Sequence, residues 1–215
     1  MPPRLHTGGR FRAWLGRRFG DEALGDRAWR RILHGLGALV LVYEPLPTDF
    51  FVVVPKEVVL LAALAAVLAL EVLRHAVGLS LPTIRPYEER RVASFAFFAV
   101  SLVGAVLLFP LPIAAAVVLG VALVDPVAGE LRLRKARATV QWGLPTVLYA
   151  GLAVVGLVGL GGWPLLPGAA LALVAAAIGV AVERPTYRWL DDDLVMTFVP
   201  AVVLLVLGTG LLRLG

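Results

Sequence analysis

Seven apolar stretches run through the chain and constrain its fold more than any other feature. A helix needs roughly 20 apolar residues to cross the hydrocarbon core of a membrane, and most of the stretches approach that length. Prolines separate several of them, as at 109–112 and 161–164, which predicts tight turns there. We place the stretches near residues 31–43, 56–76, 89–109, 111–129, 139–160, 164–183 and 194–213.

The composition excludes an ordinary soluble enzyme. Of the 215 residues, 60% are hydrophobic and 16% are charged, whereas soluble domains are about 45–50% apolar and about 25% charged. A disordered chain would be still more polar. The absence of cysteine excludes disulfides, thiol nucleophiles and cysteine-ligated metals. The sequence therefore predicts an all-α integral membrane protein with about seven transmembrane helices.

The first thirty residues form a separate, basic segment. Eight arginines lie within the first 31 residues and are interspersed with aromatic side chains. A secretory signal would instead have a short basic start followed by an uninterrupted apolar run. We interpret residues 1–30 as a cytoplasmic arm or an amphipathic surface helix, and residues 31–215 as one transmembrane domain.

Lysine and arginine predict the orientation. With seven crossings, eighteen basic residues fall on the side of the N-terminus, and only Lys56 and Arg213 fall on the other side. The positive-inside rule then places the N-terminus in the cytoplasm and the C-terminus outside. This asymmetry accounts for the net charge of +5 without nucleic-acid binding. In a prokaryote the membrane would be the cell membrane.

Acidic residues also collect on the predicted cytoplasmic side, where the topology places 12 of the 15. Glu71, Asp125 and Glu183 fall within apolar segments or at their ends, where an ionisable group is costly and indicates function. Arg31 and His34, three residues apart, share one face of the first helix. Because the middles of the helices carry almost no charge, we expect one polar site at the cytoplasmic face rather than the midplane site of a transporter.

Carboxylates combined with arginine and lysine suit a nucleoside triphosphate. Carboxylate oxygens bind Mg²⁺, and basic groups neutralise phosphate oxygens. The chain has neither a Gly-x-x-x-x-Gly-Lys-Ser/Thr loop nor the glycine-rich loop of protein kinases. Side chains from several helix ends would therefore hold the nucleotide, and the second substrate at such a membrane face would be a lipid.

Several short motifs, in order along residues 28–200, resemble the polyprenol kinase family. That family includes dolichol, phytol and farnesol kinases and the CTP-dependent diacylglycerol kinases. The chain departs from the family pattern at Val124, Asp193 and Thr197, where glycine, asparagine and proline are usual, and in the run after Lys135. The similar segments are 30–34, 71–74, 85–88 with Ser94 and Phe95, 124–129, Lys135, Glu183 and 191–194.

The resemblance implies a lipid-alcohol kinase in residues 31–215 that transfers a phosphoryl group from CTP, with Mg²⁺, to an isoprenoid alcohol or a diacylglycerol-like lipid. It also implies roles for individual residues. The catalytic residues would be Asp125, Lys135 and His34. The residues that bind nucleotide or lipid would be Arg31, Arg74, Arg85, Glu88 and Gly129. The metal ligands would be Asp125, Glu183, Asp191, Asp192 and Asp193.

Other interpretations stay open at this point. The acidic run 191–193 could simply cap the last helix, Asp125 could form an ion pair with Arg31, and Glu71 could pair with Arg74 one turn away. A cytidylyltransferase that forms a CDP-lipid would need the same CTP and Mg²⁺. A transporter or scaffold would need neither.

Overall fold

The computed structural model describes residues 22–47, 54–78, 84, 88, 91–184 and 191–212. These parts of the chain contain seven helical segments and no β-strand. In chain order the helices are α1 (Glu22–Gly37, continued by a 3₁₀ turn at Ala38–Tyr43), α2 (Lys56–Val77), α3 (Ser94–Leu108), α4 (Leu111–Leu133), α5 (Ala138–Leu160), α6 (Leu165–Glu183) and α7 (Asp192–Leu212).

The helices follow the predicted apolar stretches closely, and three bounds differ by four residues or more. Helix α4 ends at Leu133 rather than near residue 129. Helix α1 extends back to Glu22, into the segment that the sequence assigned to a basic arm or an amphipathic surface helix. Helix α3 begins at Ser94, five residues later than the predicted position 89. Residues 1–21, which make up most of the arm, lie outside the described part of the chain.

Among the described residues, four helices are long and apolar enough to cross a membrane, namely α4, α5, α6 and α7. Helix α3 has 15 residues and, at 1.5 Å per residue, covers only about 22 Å of a hydrocarbon core about 30 Å thick. Large apolar side chains on these helices are exposed, as at Val147, Leu166 and Val206, and such a surface suits lipid rather than water. The described chain thus has the character of a membrane protein, while seven crossings and the sides of the termini remain predictions.

Proline and glycine define several helix ends. Helices α2, α4 and α6 each begin directly after a proline, at Pro55, Pro110 and Pro164. Proline lacks the backbone N–H that would have no partner at a helix start, so it costs nothing there. Gly78 ends α2 in the left-handed conformation, with a φ of 65°, which glycine adopts without a steric penalty.

Helix α4 lies at the centre of the bundle. Its most apolar window is 61% buried within the protein, whereas the windows of α5, α6 and α7 are at most 39% buried. The fully buried ring of Tyr149 on α5 joins α4 to α6, because it packs against Gly120 and Gly179. A Cβ on either glycine would lie within 2.4 Å of that ring, so both helices approach Tyr149 through glycine.

A wide π-helical turn at 120–124 divides α4 into two parts. Asp125 and Pro126 follow it directly. Proline has no N–H to donate to the carbonyl four residues back, and its ring clashes with that carbonyl in a regular α-helix. The wider turn relieves this conflict, and such turns often occur at functional sites. The polar part of α4 thus begins at Asp125.

Candidate functional site

A cavity of about 250 Å³ lies at the end of the bundle where α4 ends and where α3 and α7 begin. Side chains from α1, α3, α4 and α7 form its walls, together with Ile84 and Glu88 from the segment between α2 and α3. Its polar lining residues are Arg30, Arg31, His34, Glu88, Ser94, Asp125, Arg132, Asp192 and Asp193. Its apolar lining residues include Leu33, Ile84, Phe95, Phe98, Pro126 and Leu133.

His34 on α1 lies between two carboxylates in this cavity. Its Nε2 atom is 3.4 Å from Oδ1 of Asp193 and 3.8 Å from Oδ2 of Asp125. The ring stacks on Phe98 with 4.2 Å between the centroids. Phe98 therefore fixes the plane of the imidazole, and Nε2 faces the carboxylates of α4 and α7.

Arg132 on α4 lies close to carboxylates of both α4 and α6. Its guanidinium forms an ion pair with Glu183, and its Nη2 atom is 4.0 Å from Oδ1 of Asp125. Arg132 and Asp125 are seven residues apart, which places them on one face of α4. The side chain of Glu183 is only 1% exposed, so Arg132 offsets a buried charge.

Two buried carboxylate oxygens in this cluster have no hydrogen-bond partner among the described residues. They are Oε2 of Glu183 and Oδ2 of Asp193. A buried polar atom without a partner costs free energy. Neighbouring charge adds to that cost, since two carboxylates about 4 Å apart repel each other by about 4 kcal/mol at an effective dielectric constant of about 20. These two oxygens are therefore the least stabilised polar atoms that the described part of the cluster contains.

The donor set of this cluster fits a divalent cation that prefers oxygen. Asp125, Glu183 and Asp192 each offer a carboxylate oxygen, and these atoms lie within 4.8 Å of one another. Asp191, Asp192 and Asp193 meet the same criterion, and so do His34, Asp125 and Asp193. Carboxylate oxygens that are buried and without partners are suitable ligands for Mg²⁺.

The three aspartates at the start of α7, residues 191–193, have two different roles. Asp191 acts as a helix cap, because its Oδ1 accepts a hydrogen bond from the backbone N–H of Asp193 at 3.3 Å. Its Oδ2 accepts a hydrogen bond from the Ser94 hydroxyl at 2.9 Å, which ties α7 to α3. Asp192 and Asp193 line the cavity. Capping thus accounts for Asp191, while its two neighbours face the site.

Arg31 pairs with Glu130 rather than with Asp125. The Arg31 guanidinium contacts Oε2 of Glu130, while Oε1 of Glu130 accepts a hydrogen bond from Arg134 at 2.6 Å. The pair joins α1 to α4 at the cavity, which Arg31 also lines. The ion pair between Asp125 and Arg31 that the sequence left open is therefore absent from the described contacts, and His34 and Arg132 are the closest basic groups to Asp125.

Arg74 lies in a second buried polar group. Its Nε and Nη2 atoms donate hydrogen bonds to the two carboxylate oxygens of Glu71, both at 2.7 Å. Nη2 also donates to the backbone carbonyls of Glu88 and Arg91, at 3.3 and 2.8 Å. Glu71 in turn accepts the backbone N–H of Ala93 at 2.8 Å. This pair fastens the chain before α3 to α2, and Arg74 does not line the cavity.

The structure brings together most of the residues predicted for the site. Around the cavity or its carboxylate cluster lie Arg31, His34, Glu88, Asp125, Gly129, Glu183, Asp191, Asp192 and Asp193. Lys135 is not among the lining residues. It is exposed, with a φ of 49°, in the turn between α4 and α5. Arg85 lies outside the described residues, so no position is assigned to it.

Sequence analysis missed Arg132 as a site residue and counted it only toward orientation. Its spacing from Asp125 was an available signal, because residues seven apart on a helix share a face. Arg30 was likewise assigned no role of its own, although it lines the cavity beside Arg31. No local pattern identifies the stacking of Phe98 on His34, since the two residues come from helices far apart in the sequence.

Comparison of the chain with models of protein families, with curated proteins and with solved structures found no match. The resemblance to the polyprenol kinase family therefore remains a prediction that depends on the short motifs alone.

Proposed function

We propose that this membrane protein is a phosphotransferase that moves a phosphoryl group from a nucleoside triphosphate to the hydroxyl of a lipid. The observation that carries the proposal is the carboxylate cluster, with its two buried oxygens that lack partners. Arginines and apolar side chains line the same cavity. The resemblance to polyprenol kinases adds CTP as the donor and an isoprenoid alcohol or a diacylglycerol-like lipid as the acceptor.

The charged residues that line the cavity could each contribute to this reaction. Arg30, Arg31 and Arg132 would offset the charge of the phosphate oxygens. A bound Mg²⁺, held by Asp125, Glu183 and Asp192, would supply further positive charge at the phosphates. Such reactions depend mostly on positioning and charge neutralisation, which this set of groups supports.

Asp125 is the residue we assign to the acceptor hydroxyl. As the bond between the lipid oxygen and the γ-phosphorus forms and the β–γ bond breaks, the hydroxyl proton has to leave. The side chain of Asp125, when it is ionised, can accept this proton. The nucleoside diphosphate would depart with the electrons of the broken bond. His34, 3.8 Å from Oδ2 of Asp125, would help to orient this carboxylate.

The apolar wall supports a lipid acceptor. Leu33 and Leu133 line the cavity and are 42% and 59% exposed, so the cavity has apolar residues at its rim as well as inside. A lipid could place its hydroxyl among the polar groups while its chains stay against such side chains. A water-soluble acceptor would gain nothing from this surface.

The identity of the nucleotide product tests the proposal. Detergent-purified protein is incubated with CTP, Mg²⁺ and a panel of lipid alcohols, and reactions without lipid serve as controls. CDP together with a lipid monophosphate is the expected result. Pyrophosphate with a CDP-lipid would instead identify a cytidylyltransferase, and no turnover with any alcohol or nucleotide would leave a transporter or scaffold.

A second prediction concerns Asp192 and Asp193. If these residues hold Mg²⁺, the double variant Asp192→Asn/Asp193→Asn should lose at least about 10-fold in turnover at low Mg²⁺, because asparagine brings no negative charge to the ion. Raising the Mg²⁺ concentration should recover part of the loss by mass action. Thermal unfolding without ligands should change little, since asparagine also tolerates the first turn of a helix.

Asp191→Asn is the comparison for that double variant. Asparagine caps a helix about as well as aspartate, and its side-chain oxygen can still accept the Ser94 hydroxyl. Its effect on turnover should be clearly smaller, with no change in Mg²⁺ dependence. Equal effects in both variants, or unchanged turnover in the double variant, would show that residues 191–193 have only a structural role.

A third prediction concerns orientation. We propose that the cavity faces the cytoplasm, on the basis of the asymmetry in lysine and arginine. The chain has no cysteine, so single cysteines at Lys135 and Gly210 report the two ends of the bundle. Lys135 is exposed near the cavity end, and a side chain at Gly210 meets no atom within 4 Å. In intact cells, a membrane-impermeant thiol reagent should label position 210 only; labelling of position 135 contradicts the proposal.

A further inference from the structure

Asp125 belongs to two sets of ligand atoms that point to different ions. One set contains Asp125, Glu183 and Asp192 and offers oxygen atoms only. The other set contains His34, Asp125 and Asp193 and includes an imidazole nitrogen. Each set also includes a residue with one buried oxygen that lacks a partner among the described residues. These are Glu183, through Oε2, in the first set and Asp193, through Oδ2, in the second, while the other oxygen of Asp193, Oδ1, faces His34. The lack of a partner is thus seen separately in each set.

The distances from Nε2 of His34 to the two carboxylates are longer than those of a good hydrogen bond. Its Nε2 atom is 3.4 Å from Asp193 and 3.8 Å from Asp125, whereas a good N–H···O bond measures about 2.9 Å. Ligands about 2.1 Å from an octahedral ion lie about 3.0 Å apart when adjacent and about 4.2 Å apart when opposite. The observed distances of 3.4 and 3.8 Å lie between these two spacings, each about 0.4 Å from the nearer one.

We propose that the site holds two divalent cations bridged by Asp125, and that the second is a transition metal bound by His34, Asp125 and Asp193. An imidazole nitrogen suits ions such as Zn²⁺ or Fe²⁺, carboxylate oxygens suit Mn²⁺, and the oxygen-only position suits Mg²⁺. In this arrangement His34 and Asp125 are both metal ligands, so the proton of the acceptor hydroxyl would pass to an oxygen of the transferred phosphoryl group rather than to Asp125. The inference depends on the proposed function for the use of the ions, but not for their binding.

Arg132 and His34 face different oxygens of Asp125. Arg132 forms an ion pair with Glu183 and lies near Oδ1 of Asp125, whereas Oδ2 of Asp125 is the oxygen that faces His34. The two oxygens of Asp125 therefore point to different neighbours, as a bridging carboxylate requires. Ions bridged in this way lie about 3.5–4 Å apart, close enough for two Mn²⁺ ions to interact magnetically.

The test is a titration with Mn²⁺ alone, on the full chain in detergent and without nucleotide or lipid. Electron paramagnetic resonance counts free Mn²⁺ and reports whether the bound ions are coupled. We expect two Mn²⁺ per chain with a coupled spectrum, and we expect excess Mg²⁺ to displace one of them and remove the coupling. Binding of one ion or none by the wild-type protein would overturn the proposal without any variant.

Variants assign the two positions. His34→Gln should raise the dissociation constant of one ion by at least about 100-fold, since loss of even an outer-shell partner costs 10–100-fold. Glu183→Gln should weaken the other ion, and each variant should show a spectrum without coupling. If His34→Gln does not fold, Asp193→Asn tests the same position. Two coupled ions in either of these two variants would contradict the assignment of His34 and Asp193.

His75→Gln is the matched control, because His75 contacts Glu71 at 3.2 Å, outside the cluster. It should retain two ions. The outcomes also separate this inference from the proposed function. Two coupled ions in a protein that phosphorylates no lipid would refute only the function. Lipid phosphorylation by a protein that binds one ion would refute only the second metal position.

Discussion

The variant Asp125→Asn is expected to lower the rate of lipid phosphorylation by about 100-fold or more, which corresponds to about 2.7 kcal/mol of transition-state stabilisation. Asp125 lies between His34 and Arg132, and it belongs to two of the carboxylate sets in the cavity. Asparagine keeps its shape but removes the negative charge that a cation or a hydroxyl proton requires. Initial rates with CTP, Mg²⁺ and the lipid substrate measure the loss.

The fold should survive this substitution. Asp125 is close to other carboxylates, so the loss of its charge relieves repulsion, and the thermal unfolding temperature should stay the same or rise. Glu130→Gln provides a matched control, because it removes a charge from the same helix and breaks the pair with Arg31. Its effect on turnover should be well below that of Asp125→Asn. Turnover close to that of the wild type in Asp125→Asn would refute the central assignment.

The variant Arg74→Met is expected to lower the free energy of unfolding by about 3–5 kcal/mol, the usual cost of removing one partner from a buried ion pair. Arg74 and Glu71 are 3% and 5% exposed. Without the guanidinium, Glu71 keeps a buried charge, and the backbone carbonyls of Glu88 and Arg91 lose a donor. Unfolding in detergent, followed by tryptophan fluorescence, measures the difference.

The double variant Glu71→Leu/Arg74→Met separates structure from phosphate binding. Replacing both charges removes the uncompensated carboxylate, so stability should recover in part. The backbone N–H of Ala93 still loses its acceptor, so recovery should be incomplete. If Arg74 only fastens the chain before α3, turnover should return together with stability. Recovered stability without turnover would support the phosphate contact that the family resemblance implies for Arg74. An unchanged free energy of unfolding in Arg74→Met would contradict the structural role.

Local patterns predict the helices well. Apolar runs, and prolines such as Pro110 and Pro164, mark helices whose ends the structure places within a few residues of expectation. These signals are local, because a helix start depends on backbone hydrogen bonding and chain stiffness nearby. The early start of α1 shows the limit, since its apolar face alternates with arginines and gives no uninterrupted run.

The sequence also predicts most of the carboxylates that converge, because the predicted topology places ionisable groups at helix ends on one side. In the structure Asp125 accordingly meets Glu183 and Asp192 in one set and Asp193 in another. Glu71 is the exception, since it belongs to a second buried group with Arg74 and not to the expected single site. The ion-pair partner of each charged residue is harder to predict from the sequence. Whether Arg31 pairs with Asp125 or with Glu130 depends on the rotation of α1 against α4, and no pattern within either helix reports that rotation.

Basic residues illustrate the same limit. Arg74, Lys135 and Arg132 all fit the positive-inside rule equally well. The structure places Arg74 in a buried pair, Lys135 on an exposed turn and Arg132 among the carboxylates. Their sequence neighbourhoods do not distinguish these environments, because each depends on contacts with residues far away in the chain.

The wide turn at 120–124 acts as a phase shift within α4. A residue advances a regular helix by 100°, and one extra residue in a turn rotates everything that follows relative to everything that precedes it. The wide turn therefore lets the two parts of α4 face different directions. The first part presents the buried apolar surface from Ile113 to Val118, and the second presents Asp125, Gly129 and Arg132 to the cavity. A chain that lost a single residue from this turn would keep its hydrophobicity and its length for a membrane crossing, yet would direct its carboxylate away from the cavity.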